Sequence, residues 1–398
     1  MKAVAVKPTS MLLICSSYPP VIGGSELEAQ RVCAALIQRG HRVTVVCAGG
    51  EPMPDLVDWI DPEGVPVRIY AGHWKGTLQN IVFAARVAGM LLWERRNYQI
   101  VYFLMQGLHL AAGLPTARLL GKPILMKVGG SGVIPLMAKS VTGRLELHWL
   151  RQWAYRIMIL NDGMRNEGIQ EGFPASQLHW MPNPVNTDVF APCGDDARRQ
   201  IRSQFDIPQA AAVVLYVGRL APEKALPSLI DAFAQTVQQI PDALLVLVGD
   251  GPMRVSIEQQ VDRLGLSTKV CFAGRVEPAN IPSWLQIADV FTLVSFSEGF
   301  ACSLLEAMSV GLPAVVSDIT ANRQLVDSGV HGFLTPVGNA EAVASGIVSL
   351  LQDSPLRTAM GQAARQRVIA NYSTDKIADR YEELLGDALS SVKTTRPI

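Results

Sequence analysis

The stretch Val290-Phe-Thr-Leu-Val-Ser-Phe-Ser-Glu-Gly-Phe-Ala-Cys-Ser-Leu-Leu-Glu-Ala-Met-Ser-Val-Gly-Leu-Pro-Ala-Val-Val316 decides the fold. Its first five residues are apolar or β-branched and read as a buried strand. Ser295 to Gly299 is polar and turn-like, and Ala301 to Val310 combines good helix formers with an apolar face. Gly311 and Pro313 then stop the helix, and Ala314 to Val316 begins another strand. Glu298 therefore sits at the carboxyl end of a strand, where open α/β sheets bind ligands. Were the segment helical throughout, Glu306 would lie about 12 Å farther along the axis.

The rest of the chain repeats this alternation. Upstream, Gly218-Arg-Leu-Ala-Pro-Glu-Lys224 follows the apolar run Ala212 to Val217. Strands are expected at Met11–Cys15, Val43–Cys47, Ile100–Leu104, Ile124–Val128 and Arg156–Leu160. A second series runs Val213–Val217, Leu244–Val248, Val270–Phe272, Val290–Val294 and Ala314–Val316. Helical segments lie between, which implies parallel βαβ units. One of them runs from Ser25 to Arg39, with Ser25 and Glu28 spaced as a capping box. The proline-bearing stretch 181–210 reads as a linker between two lobes. The chain thus divides into 1–190 and 191–370, with 371–398 a terminal amphipathic helix.

The 398 residues suffice for two ordinary domains. Net charge is +0 and charged residues are 18% of the chain, without the basic excess of a nucleic-acid binder. None of the six cysteines forms C-x-x-C, so they read as buried small side chains in a reducing compartment. Met11–Ile14 is too short for a signal-peptide core. No apolar run reaches the roughly 18 residues of a membrane span. These readings place the protein in the cytoplasm, at most peripheral at the inner face of the membrane.

The pattern S-x-S-E-G-F-x4-L-E-A-M-x2-G-x-P-x-V after a strand resembles the signature of the family 4 (group 1) retaining glycosyltransferases. Five further segments resemble that family in order: Ser17–Glu26, Asn183–Phe190, Gly218–Leu220, Val248–Pro252 and Phe272–Val276. The resemblance implies a GT-B architecture: two Rossmann-like α/β lobes with parallel sheets facing across a central cleft. The first lobe would take the acceptor and the second the nucleotide sugar, with the terminal helix packing back on the first.

Breaking a sugar–phosphate bond leaves negative charge on the leaving group, to be met by a metal or by fixed cations and dipoles. No two aspartates lie two apart in a D-x-D triplet, and no metal or cofactor is expected beyond the nucleoside-diphosphate sugar as substrate. By resemblance, Arg219 and Lys224 contact the diphosphate, Arg by two oxygens and Lys as a point charge. Gly299, Phe300 and Ala301 bring the backbone and a helix N-terminus to the phosphates. Glu306 accepts from the ribose hydroxyls, Arg275 and Val276 flank the base, and Glu298 stands beside the donor sugar as the catalytic carboxylate. In the first lobe, Gly23 and Gly24 allow close backbone approach. Two departures from the family stand out. Ala225 replaces the usual glycine after Lys224, and Gly129-Gly130-Ser131-Gly132 stands where many members carry a histidine. His109 and Lys127 are candidates for the missing group, and the Gly-Gly-Ser-Gly run is a candidate contact for acceptor or pyrophosphate.

The activity implied is retaining transfer from a UDP-sugar to a glycan or lipid-linked acceptor. An epimerase or phosphorylase on the same fold, or a non-catalytic nucleotide-sugar-binding protein, are the alternatives. The mixed basic and aromatic stretches His73–Tyr98 and Arg144–Arg156 are ordinary lobe helices or interfacial ones touching a membrane.

Overall fold

The computed structural model describes residues 7–19, 24–48, 57–70 and 76–394. Gly23 and His73 to Lys75, singled out above, lie outside them. The chain forms two compact domains, residues 1–184 with 374–398 and residues 185–373.

The first domain runs β1 (Ser10–Cys15), α1 (Gly24–Gln38), β2 (Arg42–Ala48), β3 (Val57–Ile60), β4 (Pro66–Tyr70), α2 (Thr77–Trp93), β5 (Ile100–Leu104), α3 (His109–Leu119), β6 (Ile124–Lys127), α4 (Val133–Ala138), α5 (Val141–Trp153), β7 (Ala154–Ile159), α6 (Asp162–Gln170) and β8 (Leu178–Trp180). Its sheet has the order β3-β4-β2-β1-β5-β6-β7-β8. All pairs are parallel except β3 with β4. That hairpin went unread in the sequence because its strands are short and half-exposed, with little of the apolar run that marks a central strand. Leu13, Cys15, Ile100, Tyr102 and Leu125 from the central strands pack with Val32, Cys33 and Leu36 of α1 into the core.

Three sequence-based expectations change here. Helix α1 begins at Gly24, so Ser25 lies inside it and Glu28 is no capping partner. Instead Glu26 accepts from Ser17 Oγ at 2.6 Å. Tyr155 and Arg156 belong to strand β7, not to a helix continuing from Arg144. The first domain also ends at Pro184 rather than 190.

The second domain runs α7 (Asp195–Gln204), β9 (Ala212–Val217), α8 (Leu226–Gln239), β10 (Ala243–Val248), α9 (Arg254–Arg263), β11 (Val270–Gly274), α10 (Ile281–Gln286), β12 (Val290–Leu293), α11 (Cys302–Val310), β13 (Ala314–Ser317), α12 (Thr320–Leu325), β14 (Gly332–Thr335), α13 (Ala340–Gln352) and α14 (Ser354–Asn371). Helix α7 occupies what the sequence suggested was linker. Its charged residues hid an amphipathic helix whose Arg202 is buried by hydrogen bonding rather than by apolar character. The second sheet is all parallel, in the order β11-β10-β9-β12-β13-β14.

Helix α15 (Thr374–Thr394) belongs to the first domain. Ile377, Tyr381, Leu384, Leu385 and Ala388 enter its core, and Arg39 binds Asp375, Asp379 and Glu382. The chain's entry into the second domain and its exit lie side by side, for the Val185 N–H donates to Tyr372 O at 2.9 Å. Among the described residues, no helix is long and apolar enough to cross a membrane, and all six cysteines are free.

Candidate active site

In each sheet the strand order reverses once. The second sheet grows from β9 through β10 to β11, then returns to place β12 on the other side of β9. The crevice beyond the carboxyl ends of β9 and β12 is thus a topological switch point. The loop after β9 carries Arg219 and Lys224, and the loop after β12 carries Glu298. The structure brings these loops together: Lys224 Nζ lies 2.6 Å from Glu298 Oε1. Both side chains are largely buried, so the pair is little screened by solvent. Ser295 Oγ donates to the same Glu298 oxygen at 2.5 Å, and the Phe296 N–H donates to Glu223 O across the two loops. The carboxylate is held from two sides.

Arg219 sits at the exposed mouth of the same loop and pairs with Glu223. The backbone N–H of Glu223 and the Arg219 guanidinium hold that carboxyl below its usual range. Tyr216 Oη donates to Arg219 O at 2.9 Å, and burial pushes the phenol well above its usual value. The tyrosine therefore serves as a fixed neutral strut. Glycines lock this loop to its neighbour. A Cβ on Gly249 would stand 1.9 Å from Gly218 O, and one on Gly251 would stand 2.4 Å from Leu220 O. Leu220 N–H donates to Asp250 O, and Met253 N–H to Leu220 O. The sequence marked Val248–Pro252 only as part of a resemblance; close backbone contact is the physical reason for its glycines.

Helix α11 starts at Cys302, so the path from Glu298 to Glu306 is a loop followed by a turn of helix, not continuous helix. Its N-cap, Ala301, is buried and makes no side-chain capping bond. By contrast Ser140, Asn161, Asn339 and Asp353 cap α5, α6, α13 and α14 with their own oxygens. The α11 N-terminus, with its positive dipole end, lies directly after the Glu298 loop. Gly299 and Phe300 are half-buried beside it, and Glu306 is half-buried on the helix itself. Arg275 and Val276 follow β11, two strands from β9, or about 10 Å at ordinary strand spacing. Arg275 is exposed there and Val276 half-buried. Among the described residues, no cluster of three or more histidine, cysteine or carboxylate side chains is arranged to hold a metal.

In the first domain the switch point lies between β1 and β5. Gly24 opens α1 on one side of it. On the other side is a loop the sequence did not single out. Met105 has φ 65, an unfavourable conformation for a side-chain-bearing residue. Gln106 keeps a buried Oε1 without a partner. Such strain beside an unsatisfied polar atom at a switch point is a signal visible only in three dimensions.

The two candidates for the missing histidine are both corrected by their surroundings. His109 is buried, stacked on Phe103 and edge-on to Phe83, with Nε2 unpartnered. Burial pulls its pKa down to about 4, so it is a neutral packing residue. Lys127 is 2% exposed. Its Nζ donates to Glu28 Oε1 at 2.5 Å and to Asn183 Oδ1 at 2.9 Å, which commits the ammonium to the core. The glycine run is tied as well: Gly132 N–H donates to the Glu167 carboxylate, and Asn161 Nδ2 to Ser131 Oγ.

Comparison with known proteins accords with this geometry. Residues 197–367 match the family model of glycosyl transferases group 1, and residues 23–184 match that of the glycosyl transferase 4-like domain. The chain is 24% identical to N-acetyl-alpha-D-glucosaminyl L-malate synthase of Bacillus anthracis, over 94% of this chain and 96% of that protein. It is 29% identical to a GDP-mannose-dependent alpha-(1-6)-phosphatidylinositol monomannoside mannosyltransferase of Mycolicibacterium smegmatis, over 94% and 98% of the two chains. Among solved structures, the Anabaena protein HepE in complex with UDP and glucose superposes with a TM-score of 0.78 at 22% identity, over 95% of this chain and 99% of that one. The architecture is GT-B.

Proposed function

We propose that this chain, which belongs to the group 1 glycosyltransferases, transfers a sugar from a UDP-sugar to a glycan or lipid-linked acceptor, with retention of anomeric configuration and without a metal ion. The observation that carries the reading is the Lys224–Glu298 contact at the switch point, beside the N-terminus of α11. It gathers a cation, a carboxylate and a helix dipole where a nucleoside diphosphate and its sugar meet.

The diphosphate gains charge as the anomeric carbon–oxygen bond breaks. Arg219, Lys224 and the N-terminus of α11 supply the positive charge that meets it. Lys224 is shared between the phosphate and Glu298, so the carboxylate stays oriented by Ser295 while the ammonium turns to the leaving group. Glu298 then binds sugar hydroxyls and balances positive charge at the anomeric carbon. Glu306 accepts from the ribose hydroxyls, and Arg275 and Val276 flank the base. Retention follows if the acceptor oxygen attacks the face the phosphate leaves. The acceptor proton passes to the departing phosphate oxygen, and no enzyme nucleophile is consumed.

The UDP and glucose bound by the Anabaena neighbour support a UDP-sugar donor. GDP-mannose, named for the mycobacterial relative, is the rival. That relative's phosphatidylinositol monomannoside acceptor supports a lipid-linked glycan. So does the outer face of α2, where Leu78, Ile81, Leu92 and Trp93 are exposed next to Arg95 and Arg96. This face suits peripheral contact with an anionic membrane.

A thermal-shift panel of UDP, GDP, ADP and CMP tests the donor, with UDP expected to give the selective stabilisation and GDP to give none. Arg219→Ala and Lys224→Ala should each weaken nucleoside-diphosphate binding about tenfold or more, as expected for losing a charge-assisted hydrogen bond. Glu298→Gln should cut kcat about a hundredfold or more while leaving nucleotide affinity within a few-fold. Activity should survive EDTA, and the product anomer read by NMR should match the donor. Unchanged turnover in Glu298→Gln removes the catalytic assignment.

A further inference from the structure

A cavity of about 360 Å³ opens in the second domain at the amino ends of its strands. Ala210 to Ala212, which lead into β9, and Asp289, which precedes β12, form part of its wall. Arg219 and Glu298 follow the carboxyl ends of those same strands. The six residues of β9 separate the two regions by roughly 20 Å, so this cavity is distinct from the site described above.

Four arginines line it, Arg198, Arg199, Arg202 and Arg357, against the carboxylates Asp195 and Asp289 of its wall and Asp196, which pairs with Arg199. Arg202 accounts for its own presence. It is buried and donates to Ile287 O, Gln209 O, Ala211 O and Asp289 Oδ2, stapling α7 to the start of the sheet. Arg198 shares that staple, and Arg199 and Arg357 exceed what it needs. Arg198 uses Nη2 on Ile287 O, Ala288 O and Asp289 Oδ1, yet its Nε is buried with no acceptor. Arg357 places Nη1 on the last carbonyls of α13, and Arg199 stands exposed at the rim, touching Asp196. Asp289 is already divided among Arg198, Arg202 and the Val213 N–H. Several guanidinium groups around one concavity repel one another unless an anion joins them, and Arg forks match phosphate oxygens.

We propose that this cavity is a second anion site, taking a small phosphate ester or inorganic pyrophosphate. Its volume lies at the low end for ligand sites and suits such a molecule better than a whole nucleotide. Arg199 and Arg357 supply the contacts, while Arg198 and Arg202 hold the wall. A ligand there binds only the folded second domain and so stabilises it.

Isothermal titration of the full chain in about 0.15 M salt, near physiological ionic strength, with inorganic pyrophosphate and with glucose 1-phosphate tests this. At least one probe should bind wild type and the Arg219→Ala variant equally, and the tighter of the two identifies the source of the phosphate. Arg199→Glu should weaken binding tenfold or more, and Arg199→Gln and Arg357→Gln by several-fold. Far-UV circular dichroism checks that each variant is folded; Arg199 is exposed, so its variants keep the test available if Arg357→Gln does not fold. Binding lost in Arg219→Ala but retained in Arg199→Glu would assign the anion to the donor loops and overturn the proposal. So would the absence of heat from both probes with wild type.

Discussion

Ala225 adopts the left-handed conformation, with φ 48 and ψ 34, between Lys224 and helix α8. An L-residue there carries about 1–2 kcal/mol of steric cost. In sequence the residue was only a departure from the family's glycine; the backbone angle turns it into stored strain beside the donor loops. Ala225→Gly should raise the midpoint of the second domain by about 2–4 °C in calorimetry, and an unchanged or lower midpoint would contradict the strain. Two buried groups of the first domain predict pH effects of opposite sign. His109 is held neutral, its pKa brought from 6.5 to about 4 by burial. The unfolded chain binds its proton first, so stability is lost as pH falls from 6.5 toward 4. Glu146 is raised by burial from 4.5 to about 7, so its contribution is fully present below 4.5 and is lost as pH rises toward 7. His109→Gln should therefore gain about 1–3 kcal/mol on wild type across the acid window, and Glu146→Gln a similar amount across the other. Urea titrations between pH 4 and 7 read both slopes directly.

At the scale of elements, one buried polar network ties four of them together. Lys127 at the end of β6 meets Glu28 of α1, Tyr381 of α15 reaches the same carboxylate at 3.4 Å, and Tyr102 of β5 reaches Tyr381 at 3.2 Å. Removing one charge strands the other in the core, so Glu28→Gln should destabilise the first domain by about 3–5 kcal/mol. The double variant Glu28→Leu with Lys127→Met should recover most of that loss, because a well-packed apolar pair avoids desolvating two ions. Chemical denaturation of the three proteins checks the order. A double variant as unstable as the single one would mean that the network's geometry, not its charge balance, holds these elements. The same comparison separates a structural Lys127 from a catalytic one, since the recovered protein should retain turnover if Lys127 is structural and lose it if catalytic.

For the whole molecule, the two domains differ in how the chain builds them. The second is one continuous segment, 185–373, whereas the first is completed by residues 374–398. Helix α15 brings Ile377, Tyr381, Leu384 and Leu385 to a core shared with β1, β2 and β5. Truncation after Ser373 should therefore expose that core and unfold the first domain while the second keeps its sheet. Limited proteolysis should then leave a resistant fragment near 185–373. Equal susceptibility of both regions would show that the second domain also depends on the tail.

The alternating apolar runs were enough to place ten strands and the fold class, because parallel strands covered on both faces must be continuously apolar. They also placed Arg219, Lys224 and Glu298 at strand ends. Short half-exposed strands such as β3, and the charged helix α7, lacked that signal and emerged only in three dimensions. The Lys224–Glu298 pair, the burial that neutralises His109 and the burial that commits Lys127 all depend on residues distant in the chain. Periodicity reports how each segment meets solvent; which charges meet inside, and at what cost, depends on strand order and packing between segments.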